Sequence, residues 1–125
     1  MHSPFVCKSC WQRLALRIRC ALTPDEPRLL AQHLAAAQSL VLRGHLSARE
    51  AATRCLGLLL DTAADPLLPQ HWRQACLDHA ARPLAQLAAL AVTAAQHEEL
   101  AAWRWRLAHL DVGTTLPLTD NTPPC

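Results

Sequence analysis

The sequence predicts an all-α, single-domain bundle of about five helices with a long Ala/Leu-rich C-terminal helix. Three observations predict it. Of the 125 residues, 51% are hydrophobic, and most of these are Ala and Leu, with no Tyr and a single Phe. This composition favours helices over the β-branched and aromatic pattern of strands. Apolar residues recur at helical spacing in segment after segment, and capping residues, Pro and Gly punctuate those segments. A chain of this length can bury most of its apolar surface in one core, so residues 1–113 are expected to form the bundle. Residues 114–125, TLPLTDNTPPC with the preceding Thr, carry three prolines and no periodicity and are expected to be an extended or mobile tail.

The first expected helix lies within residues 1–22. That segment has no acid and carries Lys8, Arg13, Arg17 and Arg19, while Trp11, Leu14, Ala15, Ile18 and Leu22 line one side. A first bundle helix with its arginines in water accounts for this pattern, and an Arg-rich mitochondrial targeting segment is the alternative. Thr23-Pro24-Asp25-Glu26 then places a hydroxyl at an N-cap, proline at the first helical position and a carboxylate at the third. A second helix is expected from there to Gly44, with Leu29, Leu30, His33, Leu34, Ala37, Leu40 and Val41 on its apolar face. Ser47 and Glu50 repeat the cap pattern and begin a third helix, which buries Ala48, Ala51, Ala52, Cys55, Leu58 and Leu59. Asp65-Pro66 and Pro69 break the chain. A fourth helix runs to about Arg82 with Leu68, Trp72, Ala75, Cys76, His79 and Ala80 inward, and Pro83 is expected to separate it from the last, a kink in one long helix being the alternative.

Residues 83–110 are expected to form one helix and to be the wall against which the shorter helices pack. The first half is uncharged, and Leu84, Leu87, Ala91, Ala94 and Ala95 share a side; Trp103, Leu107 and Leu110 lie on another. The uncharged run falls short of the roughly 18 to 20 apolar residues that cross a bilayer, so a core helix is expected and no transmembrane segment. A bundle that buries the first side leaves the second, and Trp103, Leu107 and Leu110 are the expected partner-binding residues.

The charge balance narrows the function classes. A net charge of +2, with a pI near 8.3, is far from the footprint of a dedicated nucleic-acid binder, for which a domain pI above about 9 is usual. Six cysteines scattered along a chain without a secretory signal suit a reducing compartment. A cytoplasmic location is expected, or a mitochondrial one if residues 1–22 are a targeting segment.

Cys7-Lys8-Ser9-Cys10 is the sharpest local motif. Two sulfurs at this spacing can reach one ion, but a structural zinc site needs four ligands. The best candidate for the second half is Cys76 and His79, three apart on a helix, so zinc held by Cys7, Cys10, Cys76 and His79 stands as an alternative to the expectation of no cofactor. A thioredoxin-like redox role asks for a preceding strand and a βαβ context, which the sequence does not offer. Cys10 and Cys20 resemble half of the twin Cys-x9-Cys motif of small helical hairpins, and the matching second pair is absent. His33 and Cys55 sit mid-stripe and read as core residues. With no glycine-rich phosphate loop and no nucleophile elbow, no enzyme activity is expected.

Two features speak for nucleic acid. Residues 44–52, GHLSAREAA, resemble the turn and first helix of helix-turn-helix regulators, and Trp103-Arg104-Trp105-Arg106 interleaves aromatic and basic groups. The alternative function is therefore a nucleic-acid-associated domain that uses Arg13, Arg17, Arg49, Arg54, Arg104 and Arg106. The leading expectation is a small interaction module that binds another protein, a second copy or a foreign chain, through an apolar helix face.

Overall fold

The molecule is built around its third helix. The computed structural model describes residues 7–112, and among them six helices form one all-α domain: α1 Lys8–Arg19, α2 Arg28–Leu42, α3 Ala48–Ala63, α4 Gln70–Asp78, α5 Ala81–Leu90 and α6 Ala94–Ala108. The expected tail at 114–125 lies outside the described residues. Helix α3 packs against α1, α2, α4 and α5. Its sequence explains this position: Ala51, Ala52, Cys55, Leu56, Leu59, Leu60, Thr62 and Ala63 are all buried, so nearly its whole circumference meets protein. The buried side chains form two clusters. Ile18, Leu29, Leu30, Leu56, Leu60, Trp72, Cys76, Leu87 and Leu100 belong to the larger, and Trp11, Ala37, Leu40, Leu46, Ala51 and Cys55 form the smaller. Thus α1 reaches both, through Ile18 and Trp11, and is a packed bundle helix.

The long C-terminal helix expected over residues 83–110 is instead two helices. Thr93 accepts a hydrogen bond from the Gln96 amide on its hydroxyl (3.1 Å), and the Gln96 side chain accepts from the backbone amides of Thr93 (3.1 Å) and Val92 (2.8 Å). This reciprocal capping box satisfies three donors that a new helix leaves orphaned, and the chain at Ala91 is extended. Hydrophobic periodicity runs through the break and hides it. The central wall is α3, because α6, once separated from α5, buries only Leu100 fully. Ion pairs from Arg49 to Glu99 and from Arg106 to Asp61 tether α6 to α3. Thr93→Ala is expected to lower stability by about 1 kcal/mol, read as a lower urea midpoint. The amides of the first turn of α6 should lose exchange protection before those of α3.

Two other boundaries move for local reasons. The second helix starts at Arg28 rather than after Thr23. A helix capped at Thr23 needs an N–H at position 27 to reach the Thr23 carbonyl, and Pro27 has none. The Glu26 amide donates to Thr23 O instead (3.0 Å), closing a turn, and the helix restarts behind Pro27. Similarly, Pro83 does not separate α4 from α5. The break is at His79 and Ala80, and Pro83 sits in the first turn of α5, where its missing donor has no intrahelical partner to lose. The Gly44 and Ser47 signals do mark boundaries: Gly44 has φ +80° after α2, and Ser47 Oγ accepts from the Glu50 amide (3.0 Å) at the start of α3.

Arg73 is a buried charge that periodicity does not reveal. Its Nε donates to the Ala63 carbonyl (2.8 Å) and an Nη to the Asp111 carbonyl (3.3 Å). The guanidinium therefore closes the C-terminal end of α3, where carbonyls lack intrahelical donors and the helix dipole is negative. It also pins the strand of chain that leaves α6.

Candidate functional site

Helices α2, α3 and α5 enclose an open apolar groove. Helix α2 contributes Leu34, Ala37, Val41 and Leu42, spaced to share one side, and α3 contributes Ala48, Ala51 and Cys55. Helix α5 closes the groove with Gln86, Ala89 and Leu90. Alanines at Ala37, Ala48, Ala51 and Ala89 line it where larger residues would have filled it, leaving a cavity volume of about 480 Å³ that opens to solvent. No charged side chain lines it; the amides of Gln38 and Gln86 are its polar groups. Its rim is apolar too. Leu42 is 88% exposed and Leu90 36%, and Val92, two residues beyond, is 81% exposed.

Cys55 at the floor of this groove lies 3.8 Å from His33 Nδ1. The pair is not an activated nucleophile. Burial pushes the Cys55 thiol up to about 12 and the His33 imidazole down to about 4, so both are neutral at pH 7, whereas a Cys–His couple works as thiolate and imidazolium. The His33 ring instead stacks on Trp11, with centroids 5.1 Å apart, while the Trp11 Nε1–H donates to the His33 carbonyl (3.2 Å). Both are core residues of the junction between α1, α2 and α3.

The expected partner residues Trp103, Leu107 and Leu110 are half-buried and pack against the larger core cluster. The Trp103 ring faces Gly57, where an added Cβ would lie 3.7 Å from it, in ordinary van der Waals contact. On this helix the strongly exposed aromatic is Trp105, at 64%, and it stacks on His109 with centroids 4.0 Å apart.

The six arginines of the nucleic-acid alternative divide into two groups. Arg49 pairs with Glu99, Arg54 with Glu50 (3.0 Å) and Arg106 with Asp61 (2.6 Å); Arg54 also lies over the Trp11 ring and Arg106 over Trp103, each 5.8 Å from the centroid. Arg13, Arg17 and Arg104 are exposed. They come from α1 and α6.

The four residues considered for zinc are not gathered as ligands. Among the described residues no three His, Cys, Asp or Glu side chains are grouped to hold a metal ion. Cys76 is fully buried in the larger cluster, where desolvation pushes its thiol up to about 12, and the ring Nδ1 of His79 is 2.9 Å from the Ala75 carbonyl. Cys7 and Cys10 stand as a pair at the N-terminus of α1, their sulfurs 2.8 Å apart. Among the described residues no helix is long and apolar enough to cross a membrane.

The groove is a feature that sequence patterning passes over, since Leu34, Ala37, Val41 and Ala51 read as ordinary core positions. The available signal was the weakness of the alanines: a stripe that is apolar but small. No protein-family model matches the chain, and no significant similarity links it to a characterised protein or a solved structure.

Proposed function

We propose that this chain is a helical protein-interaction module, that its binding surface is the groove of α2, α3 and α5, and that the occupant is a second copy of the same chain. The observation that carries the reading is the pairing, on one surface, of an uncharged concave groove with a protruding apolar rim. A two-fold interface brings the same patch of both copies together, so the patch must complement itself. Here the leucine rim of one copy meets the alanine-lined groove of the other, whose lining carries no charge. The amides of Gln38 and Gln86 each carry donors and an acceptor and can pair across the axis. The exposure of Leu42 and Val92 to water then has a physical reason: burial of each is favourable by about 1.5–3 kcal/mol.

Sedimentation equilibrium of the purified chain tests this. The expected result is a dimer mass, and a Leu42→Glu variant that sediments as a monomer while keeping its helical content, because Leu42 is at the surface and its substitution leaves the core intact. Association should be nearly indifferent to salt between 50 and 500 mM (about a threefold span in Debye length), as expected of an apolar interface. A monomer at every concentration overturns the reading. The nucleic-acid alternative makes the opposite salt prediction, a steep loss of affinity with ionic strength through Arg13, Arg17 and Arg104.

A further inference from the structure

Independently of the groove, the N-terminus of α1 carries a pair of thiols whose arrangement has a chemical consequence. Cys7 is the N-cap of α1, in extended conformation (φ −111°, ψ 161°), and its sulfur accepts a hydrogen bond from the Cys10 amide (3.3 Å). The Ser9 hydroxyl lies 3.3 Å from the same sulfur, and the Cys10 sulfur lies 2.8 Å from it. Three potential donors therefore converge on one sulfur at the positive end of a helix dipole, a setting that favours the thiolate. Cys10 is exposed and Cys7 half-exposed, and Arg13 Nη2 is 3.8 Å from Cys10 Sγ.

We propose that Cys7 and Cys10 form a dithiol site that exchanges with disulfides, with Cys7 as the attacking thiolate and Cys10 as the resolving thiol. Cysteines three apart at a helix start have Cβ atoms about 5–6 Å apart, one turn from each other. A disulfide needs Cβ atoms about 3.5–4.5 Å apart; the sulfurs already lie 2.8 Å apart, and Cys7, extended and outside the helix, can supply the remaining approach through its own backbone without unwinding α1. The chemistry needs no strand or βαβ unit, only an N-cap thiol with a second sulfur in reach.

The reaction balances as a two-electron exchange. The Cys7 thiolate attacks one sulfur of a disulfide RSSR, forming a mixed disulfide and releasing one thiolate, which takes a proton from water. The Cys10 thiol then gives up its proton to solvent and attacks the Cys7 sulfur, with the Arg13 guanidinium beside it. The second R group leaves as a thiolate and is protonated in turn. In sum the two protein thiols become one intramolecular disulfide, and RSSR is reduced to two RSH. The Cys10 thiol, the Ser9 hydroxyl and the Cys10 amide, in that order of effect, also hold the Cys7 thiol down at about 7, which places the attacking group near the optimum for exchange at neutral pH.

The test uses the full reduced chain and oxidised glutathione as probe, with acid quenching, alkylation and peptide mapping by mass spectrometry. The expected product is a Cys7–Cys10 disulfide without retained glutathione. Cys10→Ser should stop at the mixed disulfide, with glutathione retained on Cys7. In the wild-type protein the alkylation rate of Cys7, resolved from Cys10 by fragmentation of the peptide, should be half-maximal near pH 7 and, at pH 6, on the order of fivefold above that of an unstructured cysteine peptide, after allowing for the lower nucleophilicity of a more acidic thiol. The proposal is overturned if wild-type protein retains glutathione on Cys7 without closing the bond, or if Cys7 alkylates with the pH profile of the free peptide. Circular dichroism of wild type and Cys10→Ser excludes unfolding as the cause, because neither sulfur is part of the buried core.

Discussion

Trp72→Ala is expected to cost about 3–5 kcal/mol, enough to leave a domain of ordinary stability, about 5–15 kcal/mol, close to unfolding at 37 °C. The indole is fully buried where α4 meets α3 and α1, and it is the largest of the enclosed side chains. Two losses combine. Its removal leaves a cavity among Ile18, Leu56, Leu60 and their neighbours, which a close-packed helical core can only partly collapse. It also deprives the Ile18 carbonyl of the Nε1–H that it accepts at 2.9 Å. That carbonyl lies at the C-terminal end of α1, which finishes on Ala21 in a left-handed conformation (φ 51°) that is strained for a residue other than glycine. The indole thus holds α1 at the point where its backbone is least favourable. Trp72→Phe separates the contributions, since it keeps most of the ring and loses the hydrogen bond, and should cost the smaller share. Urea unfolding followed by circular dichroism measures both. A loss below about 1 kcal/mol for the alanine variant would contradict the packing described.

Acidification from pH 6.5 to 4 is expected to remove about 3 kcal/mol of stability through His33 alone. Burial holds this imidazole at about 4 in the folded protein, against 6.5 when exposed. Between those values the unfolded chain takes up a proton that the folded chain refuses, so the unfolded state binds more protons and stability falls as pH falls. The contribution is fully present above 6.5. Asp65 acts in a lower window: burial works against its ionisation, but the bonds from Arg19 and the Leu67 amide outweigh it and hold the carboxyl below 3.8, so its share is lost only under more acid conditions. Replacing His33 by Phe preserves a ring against Trp11 and removes the titrating group. Its urea midpoint should be flat between pH 6.5 and 4 where that of wild type declines. An equal decline in both proteins would place the acid sensitivity elsewhere.

The fold class was legible because alanine and leucine at helical spacing leave few other ways to bury a core. The faces of the first four helices were largely legible for the same reason: Trp11, Ile18, Leu29, Leu30, Ala52, Cys55, Trp72 and Cys76 are inside as periodicity requires, whereas Leu22, beyond the end of α1, and Ala48, in the first turn of α3, are exposed. Boundaries were harder wherever a second local signal competed with the pattern. At Thr23 the cap signal was real in kind, but Pro27 removed the one donor that would have continued it. At Thr93 an uninterrupted apolar pattern concealed a complete capping box. Arg73 was illegible because its partners, Ala63 and Asp111, are distant in sequence and contribute only backbone carbonyls.

The candidate sites follow the same logic. Each thiol of Cys7 and Cys10 was visible, and a spacing of three residues sets their proximity. What α1 adds is the N-cap position, which depends on where the helix begins. The groove was illegible in a different way. Whether an alanine face is filled by a neighbour depends on the crossing of three helices, and no one of the three sequences contains that information. The separation of α5 from α6 also leaves Val92 exposed between them and turns Trp103 and Leu107 onto the core.

The central claim is that the α2–α3–α5 groove, and not the outer side of α6, is the surface through which this chain binds its own copy. Methyl NMR across a dilution series tests it most directly, with labelled Leu, Val and Ala. Concentration-dependent shifts are expected at Leu34, Val41, Leu42, Ala89, Leu90 and Val92, with Leu107 and Leu110 unmoved. Spectra that do not change with concentration, or shifts confined to Leu107 and Leu110, would contradict the account.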